Sequence, residues 1–282
     1  MGSLRLTVLT LGIAMLAASS CATSGRQGSS DVTVRIATYN VGAFHKSGMD
    51  STPMIASMMK ETGVQIISLN ELDSCTARHN SFQIEEFAKQ MVGWGYKFAP
   101  AMDYQGGKYG IGIAWSKDFT PVKTDAIILD KADGAEQRAL AVAEFDRFVF
   151  CSCHLDHVTE NARLVQAGII TDYVKAHYGD SDKPVILCGD FNDEPDSRLL
   201  KMLEKDWKII SPDGFTIPSN NPRKRIDFIM VNRNCSQWVE VFSAEVRTEF
   251  STGDVKLASD HLPVVMTINF PPCSQRKRKG RP

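Results

Sequence analysis

The chain has almost no excess charge of either sign: across 282 residues, 32 Lys and Arg stand against 33 Asp and Glu, a formal net charge of -1. That balance excludes a protein whose whole surface grips a polyanion. Long apolar runs are absent too, since the one stretch from Leu6 to Ala18 is roughly a dozen residues and a bilayer-spanning helix takes ~20. A multi-span membrane protein is excluded. Among the 7 Cys there is no Cys-x-x-Cys pair, which removes the usual zinc frameworks. No repeat at a solenoid or propeller period occurs. With 43% apolar and 23% charged residues, disorder and collagen-like structure are also excluded. One large globular domain fits the length.

The first residues read as a leader rather than as fold. Met1 to Arg5 is a short cationic start, Leu6 to Ala18 the apolar core, and Ala18-Ser19-Ser20-Cys21 a small-residue stretch suited to cleavage. The surroundings of Cys21 resemble a bacterial lipoprotein box, although Ala18 stands where Leu is usual. Lipidation of Cys21, with membrane attachment through that anchor, is one expectation, and plain secretion is the other. The expected organisation is a leader over 1–21, a Ser- and Gly-rich linker over 22–31, a catalytic domain over 32–271 and a basic tail over 272–282.

Hydropathy patterning predicts short strands at Val32–Val41, Val64–Leu69, Tyr96–Ala99, Tyr109–Trp115, Pro121–Leu129, Arg138–Phe145, Phe148–Cys153, Pro184–Cys188, Ile226–Val231, Trp238–Val246 and Leu262–Ile268. Helices are predicted at Thr52–Glu61, Ser81–Trp94, Glu160–His177 and Asp196–Glu204. Each half begins with strand-helix units and continues with antiparallel-looking strands. The layering this implies is an α/β sandwich of two packed sheets with helices outside. Cys151, Cys153 and Cys188 fall in apolar strands and read as small buried hydrophobes, while export permits an oxidised pair among Cys75, Cys235 and Cys273.

Polar residues recur at the strand ends: Asn40, Asn70-Glu71, His154-Leu155-Asp156-His157, Asp190-Phe191-Asn192-Asp193 and Asp260-His261. Each alone reads as a turn or a solvated side chain. Together they form an oxygen-rich set suited to a hard cation, Mg²⁺ or Mn²⁺, with histidines available for proton transfer. Zinc would ask for more His and Cys.

The succession Arg35-Ile36-Ala37-Thr38-Tyr39-Asn40, Ile67-Ser68-Leu69-Asn70-Glu71, Tyr109-Gly110-Ile111-Gly112, His154-Leu155-Asp156, Gly189-Asp190-Phe191-Asn192, Arg225-Ile226-Asp227 and Ser259-Asp260-His261 resembles the endonuclease/exonuclease/phosphatase superfamily. The resemblance runs from about Val32 to Phe270. It implies the deoxyribonuclease I-like four-layer α-β-β-α sandwich of two mixed, mostly antiparallel sheets. It also implies a Mg²⁺- or Mn²⁺-dependent hydrolase of phosphoester bonds. Glu71 would be the main metal carboxylate, with Asn40 and Asp260 on the same cation. Asp190 would orient or deprotonate the attacking water, Asn192 hold a phosphate oxygen, and His261, oriented by Asp227, contact the scissile phosphate. His154 would stabilise charge or protonate the leaving oxygen. Arg138 is placed either on substrate phosphate or in a structural ion pair. Arg225, in the basic stretch Arg223-Lys224-Arg225, is placed either on substrate or in a solvated loop. Asn70 stands where the family usually has Gln.

The resemblance leaves the substrate open. Pro222 to Asp227 lacks the inositol 5-phosphatase signature, and His154 replaces the Tyr of abasic endonucleases. A phosphodiester of nucleic acid or of a phospholipid headgroup is expected first, and a phosphomonoester of sugar or inositol second; a monomeric protein is expected. An inactive binding module on the same fold is a third reading. Arg163 and Gln166 are expected to anchor their helix rather than to do chemistry.

Overall fold

The computed structural model describes residues 30–272 together with Gly2. The expected leader with Cys21, the linker up to residue 29, and Cys273 with the basic tail lie outside the described residues. Twelve strands and five α-helices follow in the order β1 (Val32–Asn40), α1 (Thr52–Thr62), β2 (Ile66–Ser74), α2 (Gln83–Gln90), β3 (Gly95–Tyr104), β4 (Gly107–Trp115), β5 (Lys123–Leu129), β6 (Arg138–Glu144), β7 (Val149–His154), α3 (Glu160–Tyr178), β8 (Val185–Asp190), α4 (Arg198–Leu203), β9 (Trp207–Ile209), β10 (Asp227–Asn232), β11 (Glu240–Val246), α5 (Val255–Ala258) and β12 (Val264–Phe270). Among the described residues no helix is long and apolar enough to cross a membrane.

Two six-stranded sheets result, ordered β11-β12-β1-β2-β4-β3 and β5-β6-β7-β8-β10-β9. Pairing is antiparallel except for β1 with β2 and β7 with β8, joined by the helical crossovers α1 and α3. Period-two alternation sorts the side chains into three cores. Along β1, Val34 and Ile36 pack between the sheets while Ala37 and Tyr39 pack under α1 and α2. Along β8, Ile186 and Cys188 face the other sheet while Val185 and Leu187 face α3 and α4. Three cores make four layers, as the resemblance implied. Cys151, Cys153 and Cys188 are fully buried in these cores, and Cys75 is an exposed free thiol.

Local differences from the expected elements have local causes. The helix expected over Ser81–Trp94 is only Gln83–Gln90, because Phe82 is extended and Val92 and Gly93 are both left-handed. The strand expected over Tyr96–Ala99 continues to Tyr104 through a register shift between Pro100 and Met102. The three-residue β9 is too short to show a period.

Candidate active site

The alternation that fills the inter-sheet core also builds the site. Following Val34 and Ile36, the same face of β1 ends in Asn40; following Ile66 and Ser68, that of β2 reaches Asn70. In the second sheet, His154 succeeds Phe150 and Ser152 along β7, Asp190 succeeds Ile186 and Cys188 along β8, and Asp227 opens the face of β10 that continues as Ile229 and Val231. The register sets Asn40 opposite Asn70, His154 opposite Asp190 and Asp227 opposite Asp190. The apolar seam between the sheets thus turns polar at one end.

Two residues reach the cleft by departing from regular strand geometry. Glu71 lies in the irregularity of β2 between Leu69 and Leu72, with φ 58°. Asn192, just past β8, has φ 51°. Left-handed backbone at non-glycine residues costs on the order of 1 kcal/mol or more and concentrates at functional sites. Gly189 permits the close approach of β8 to β7: its φ is 149°, and a Cβ there would lie 1.8 Å from the Cys153 carbonyl oxygen. Asp260 and His261 come from the loop before β12, tied down where the Ser259 hydroxyl donates to the Asn40 carbonyl at 2.6 Å.

Asp190 is the hub. It is 1% exposed, and its Oδ2 accepts from Asn40 Nδ2 at 3.0 Å and lies 3.6 Å from Nε2 of both His154 and His261. Its Oδ1 accepts from the Asn192 backbone N–H at 2.9 Å. Burial, with the charge of Asp227 adding to it, pushes its pKa up to about 7. The two histidines differ in charge. Burial works against the His261 cation, but Asp227, accepting from Nδ1 at 2.9 Å, and Asp190 outweigh it and raise its pKa to about 10. Burial and then the Arg138 charge drive His154 far below its ordinary value. Arg138, which has only donors, points NH1 at His154 Nδ1 from 3.2 Å. The His154 proton therefore sits on Nε2. Asn192 Nδ2, 3.1 Å from that nitrogen, donates instead to the Leu155 carbonyl at 3.0 Å.

Glu71 and Asp260 form the outer half of the site. The Lys46 ammonium stands between them, 4.0 Å from a Glu71 oxygen and 3.1 Å from an Asp260 oxygen. Its stem crosses Gly42, where a Cβ would come within 2.2 Å of Lys46 Cγ. A cation already sits between these carboxylates, whose oxygens suit a hard divalent cation; Asn40 orients Glu71 by donating from Nδ2 at 3.1 Å, while its Oδ1 accepts from the Gly42 N–H. Asp190, Asp227 and His261 also converge, with ligand atoms within 4.8 Å of one another. There His261 Nδ1 already faces Asp227 at 2.9 Å, while Glu71 and Asp260 offer the more accessible carboxylates.

A cleft of about 300 Å³ opens over these groups. Of the residues expected at the site, Glu71, Arg138, His154, Asp190, Asn192 and His261 line it directly. Asn40, Asp227 and Asp260 stand behind or beside them through the contacts given above. Arg138 is a cleft residue and an ion-pair residue at once, 3.1 Å from Glu136 and 3% exposed.

Arg225 is a correction. Its guanidinium bonds to Asp213 and to the Ser211 carbonyl and lies 4.8 Å from the centre of the Phe228 ring, turned away from the cleft. We expect Arg225→Met to lower the melting temperature by the equivalent of about 1.5–3 kcal/mol, the worth of charge-assisted hydrogen bonds, with kcat held within about twofold. Calorimetry and steady-state assays check both. Arg163 and Gln166 do anchor their surroundings: Arg163 pairs with Asp193 at 3.1 Å, and Gln166 accepts from the Asp156 N–H at 2.8 Å. Sequence reasoning missed Lys46, Arg78, Tyr104 and Glu136, and named His157 only within the strand end His154-Leu155-Asp156-His157. The four missed residues come from loops or a strand tip without a motif.

The sequence model of the endonuclease/exonuclease/phosphatase family matches residues 37–261. The chain belongs to that family. Among solved structures it is similar to a family protein from Bacteroides thetaiotaomicron, with a TM-score of 0.70 and 19% identity over 86% of this chain and 97% of that one. It is also similar to the mannosyl-6-phosphatase Bt3783 of the same bacterium, at 0.69 and 20% over 83% and 99%. The catalytic domain of human Nocturnin gives 0.67 and 19% over 84% and 93%. No curated protein matches the sequence.

Proposed function

We propose that the protein hydrolyses phosphoesters by direct attack of water, with Glu71, Asn40 and Asp260 holding Mg²⁺ or Mn²⁺. The convergence of Asn40, His154 and His261 on the single buried carboxylate of Asp190 carries this reading. The cation supplies charge neutralisation for the transferred phosphoryl group. Asp190, ionised, takes a proton from the water as its oxygen bonds to phosphorus, and that proton passes to solvent. His261, a cation fixed by Asp227, faces the charge on the phosphoryl oxygens, and the Asn192 amide holds one of them. The neutral His154 ring stabilises the departing oxygen by a hydrogen bond from Nε2–H as its bond to phosphorus breaks, and solvent supplies the proton that completes the alcohol.

A second reading concerns the ester class. The expected phosphodiester of nucleic acid or phospholipid headgroup needs an extended surface or a membrane approach, whereas a cleft of about 300 Å³ is at the small end of ligand pockets. This favours a small phosphorylated molecule, and the structural likeness to a mannosyl-6-phosphatase supports including monoesters. Export, with lipidation at Cys21 and a monomeric state, completes the proposal for the full chain. The test is hydrolysis of p-nitrophenyl phosphate and bis-p-nitrophenyl phosphate with Mg²⁺, Mn²⁺ or EDTA, beside Asp190→Ala. Cation-dependent turnover lost in the variant is the expected result; equal turnover in EDTA, or in Asp190→Ala, overturns it.

A further inference from the structure

From the part of the cleft built around Arg78 and Arg138, we infer that the alcohol half of the substrate is a sugar, a neutral ring bearing adjacent hydroxyls. This rests on the hydrolase reading and names the substrate class of the same site. Arg78, Tyr104, Tyr109, Glu136, Arg138 and His157 all line the cleft beside Glu71 and Asp190, and none has a role in the water attack itself.

Their charges are already matched. Asp73, fully buried, holds Arg78 through two contacts, 2.6 Å to Nε and 2.9 Å to NH2. Glu136 holds Arg138 at 3.1 Å. A second phosphate or carboxylate on the substrate would have to compete with these carboxylates, so the wall offers hydrogen bonds with little net charge. The hydrogen-bonding pattern alternates. Arg78 uses Nε and NH2 on Asp73 and keeps NH1 as a donor with no partner among the described residues. Glu136 supplies acceptor oxygens. His157 accepts from Arg138 at its Nδ1 at 3.1 Å, which leaves the ring proton on Nε2. Vicinal hydroxyls, each both donor and acceptor, satisfy such a set.

The wall is also aromatic and braced, its Tyr104 and Tyr109 rings tilted 50° to one another with centres 6.0 Å apart. The Arg78 guanidinium lies 4.7 Å from the centre of the Tyr104 ring and 5.5 Å from that of Tyr109. Two aromatic rings and a planar cation make a surface against which the C–H face of a pyranose packs, with the electron-rich rings opposite the polarised hydrogens. Asp73 and the rings fix Arg78 before binding, so little side-chain entropy is lost when a ligand arrives. The cleft volume of about 300 Å³ accommodates one ring and its phosphate.

Calorimetry on Asp190→Asn, which retains the cleft, tests the assignment with hexose 6-phosphate, hexose 1,6-bisphosphate and inorganic phosphate. Hexose 6-phosphate is expected to bind about tenfold tighter than inorganic phosphate. Arg78→Lys, which keeps a cation against buried Asp73 but loses the forked donor edge, and Tyr104→Ala, which removes one aromatic face of the cleft, should each erase most of that margin. In the active enzyme the same two changes should lower the ratio of kcat/KM for hexose 6-phosphate over p-nitrophenyl phosphate about tenfold, chiefly through KM. Equal affinity for the sugar phosphate and inorganic phosphate overturns the sugar subsite, and turnover of the nitrophenyl esters then leaves the hydrolase reading standing. Preference for the bisphosphate overturns the neutral-ring assignment. Absence of turnover on every ester removes the hydrolase reading, while the calorimetry still decides the subsite.

Discussion

Glu71→Ala is expected to lower kcat/KM by about a thousandfold or more, since a metal acting on a phosphoryl oxygen contributes several kcal/mol and each 1.36 is tenfold. The fold should survive. Glu71 keeps a left-handed φ of 58°, a strain that Ala shares, and its side chain is 22% exposed, so no core is opened. The Asn40 amide loses one acceptor but keeps Asp190 at 3.0 Å. Lys46 retains Asp260 at 3.1 Å. Calorimetric titration with Mn²⁺ should show weakened binding in parallel with lost turnover. Activity within tenfold of wild type would place the cation elsewhere, with the Asp190, Asp227 and His261 trio as the alternative holder.

Asp190→Asn carries the second large effect, and its signs in activity and stability are opposite. Turnover should fall by about 10²–10⁴, the range for losing a positioned base. Stability in EDTA should instead rise, and only over a defined range of pH. The folded carboxyl titrates at about 7 against 3.8 for an unperturbed one. A pKa raised by folding gives stability that is complete below about 3.8 and lost as pH climbs to about 7, because ionisation leaves a charge among buried groups. The Asn side chain has no such loss. The melting temperatures of variant and wild type should therefore diverge between about pH 4 and 7 and run parallel above; a constant gap across that window would contradict the burial of an ionisable Asp190. In wild type the same titration sets the acid limb of the rate, displaced below 7 by the bound cation, while the alkaline limb follows His261 at about 10.

Much of the architecture is legible in the sequence because alternation decides it. Strands such as Val185–Asp190 put apolar residues on both faces until the last position, where Asp190 can only mark an open end. The candidate site residues are readable for the same reason: Asn40, His154 and Asp190 end buried strands and Asp227 begins one, while Glu71 sits inside β2 at its irregularity. Arg225 misleads because closeness in sequence to Asp227 is not closeness in space. It precedes β10, and Asp213 and Ser211 draw its side chain behind the sheet. Arg78 stays invisible for the converse reason. Its partner Asp73 is five residues back, and its aromatic neighbours Tyr104 and Tyr109 flank the turn between two other strands, so no local pattern announces the cluster. Sequence periodicity reports which side of a strand a residue occupies, but not which loops meet above it.

The second sheet is built from one uninterrupted stretch, β5 to β10, whereas the first is assembled from both ends of the described chain. Asn40 and Glu71 belong to the first sheet, His154, Asp190 and Asp227 to the second. Hydrogen bonds from Ser68 to Ser152 at 2.7 Å and from Asn70 to the Cys153 carbonyl at 2.9 Å join the two. Neither sheet holds a working constellation, so during folding the chemistry is born only when they dock, and recovered activity is a clock for that last step of assembly rather than for the formation of either half.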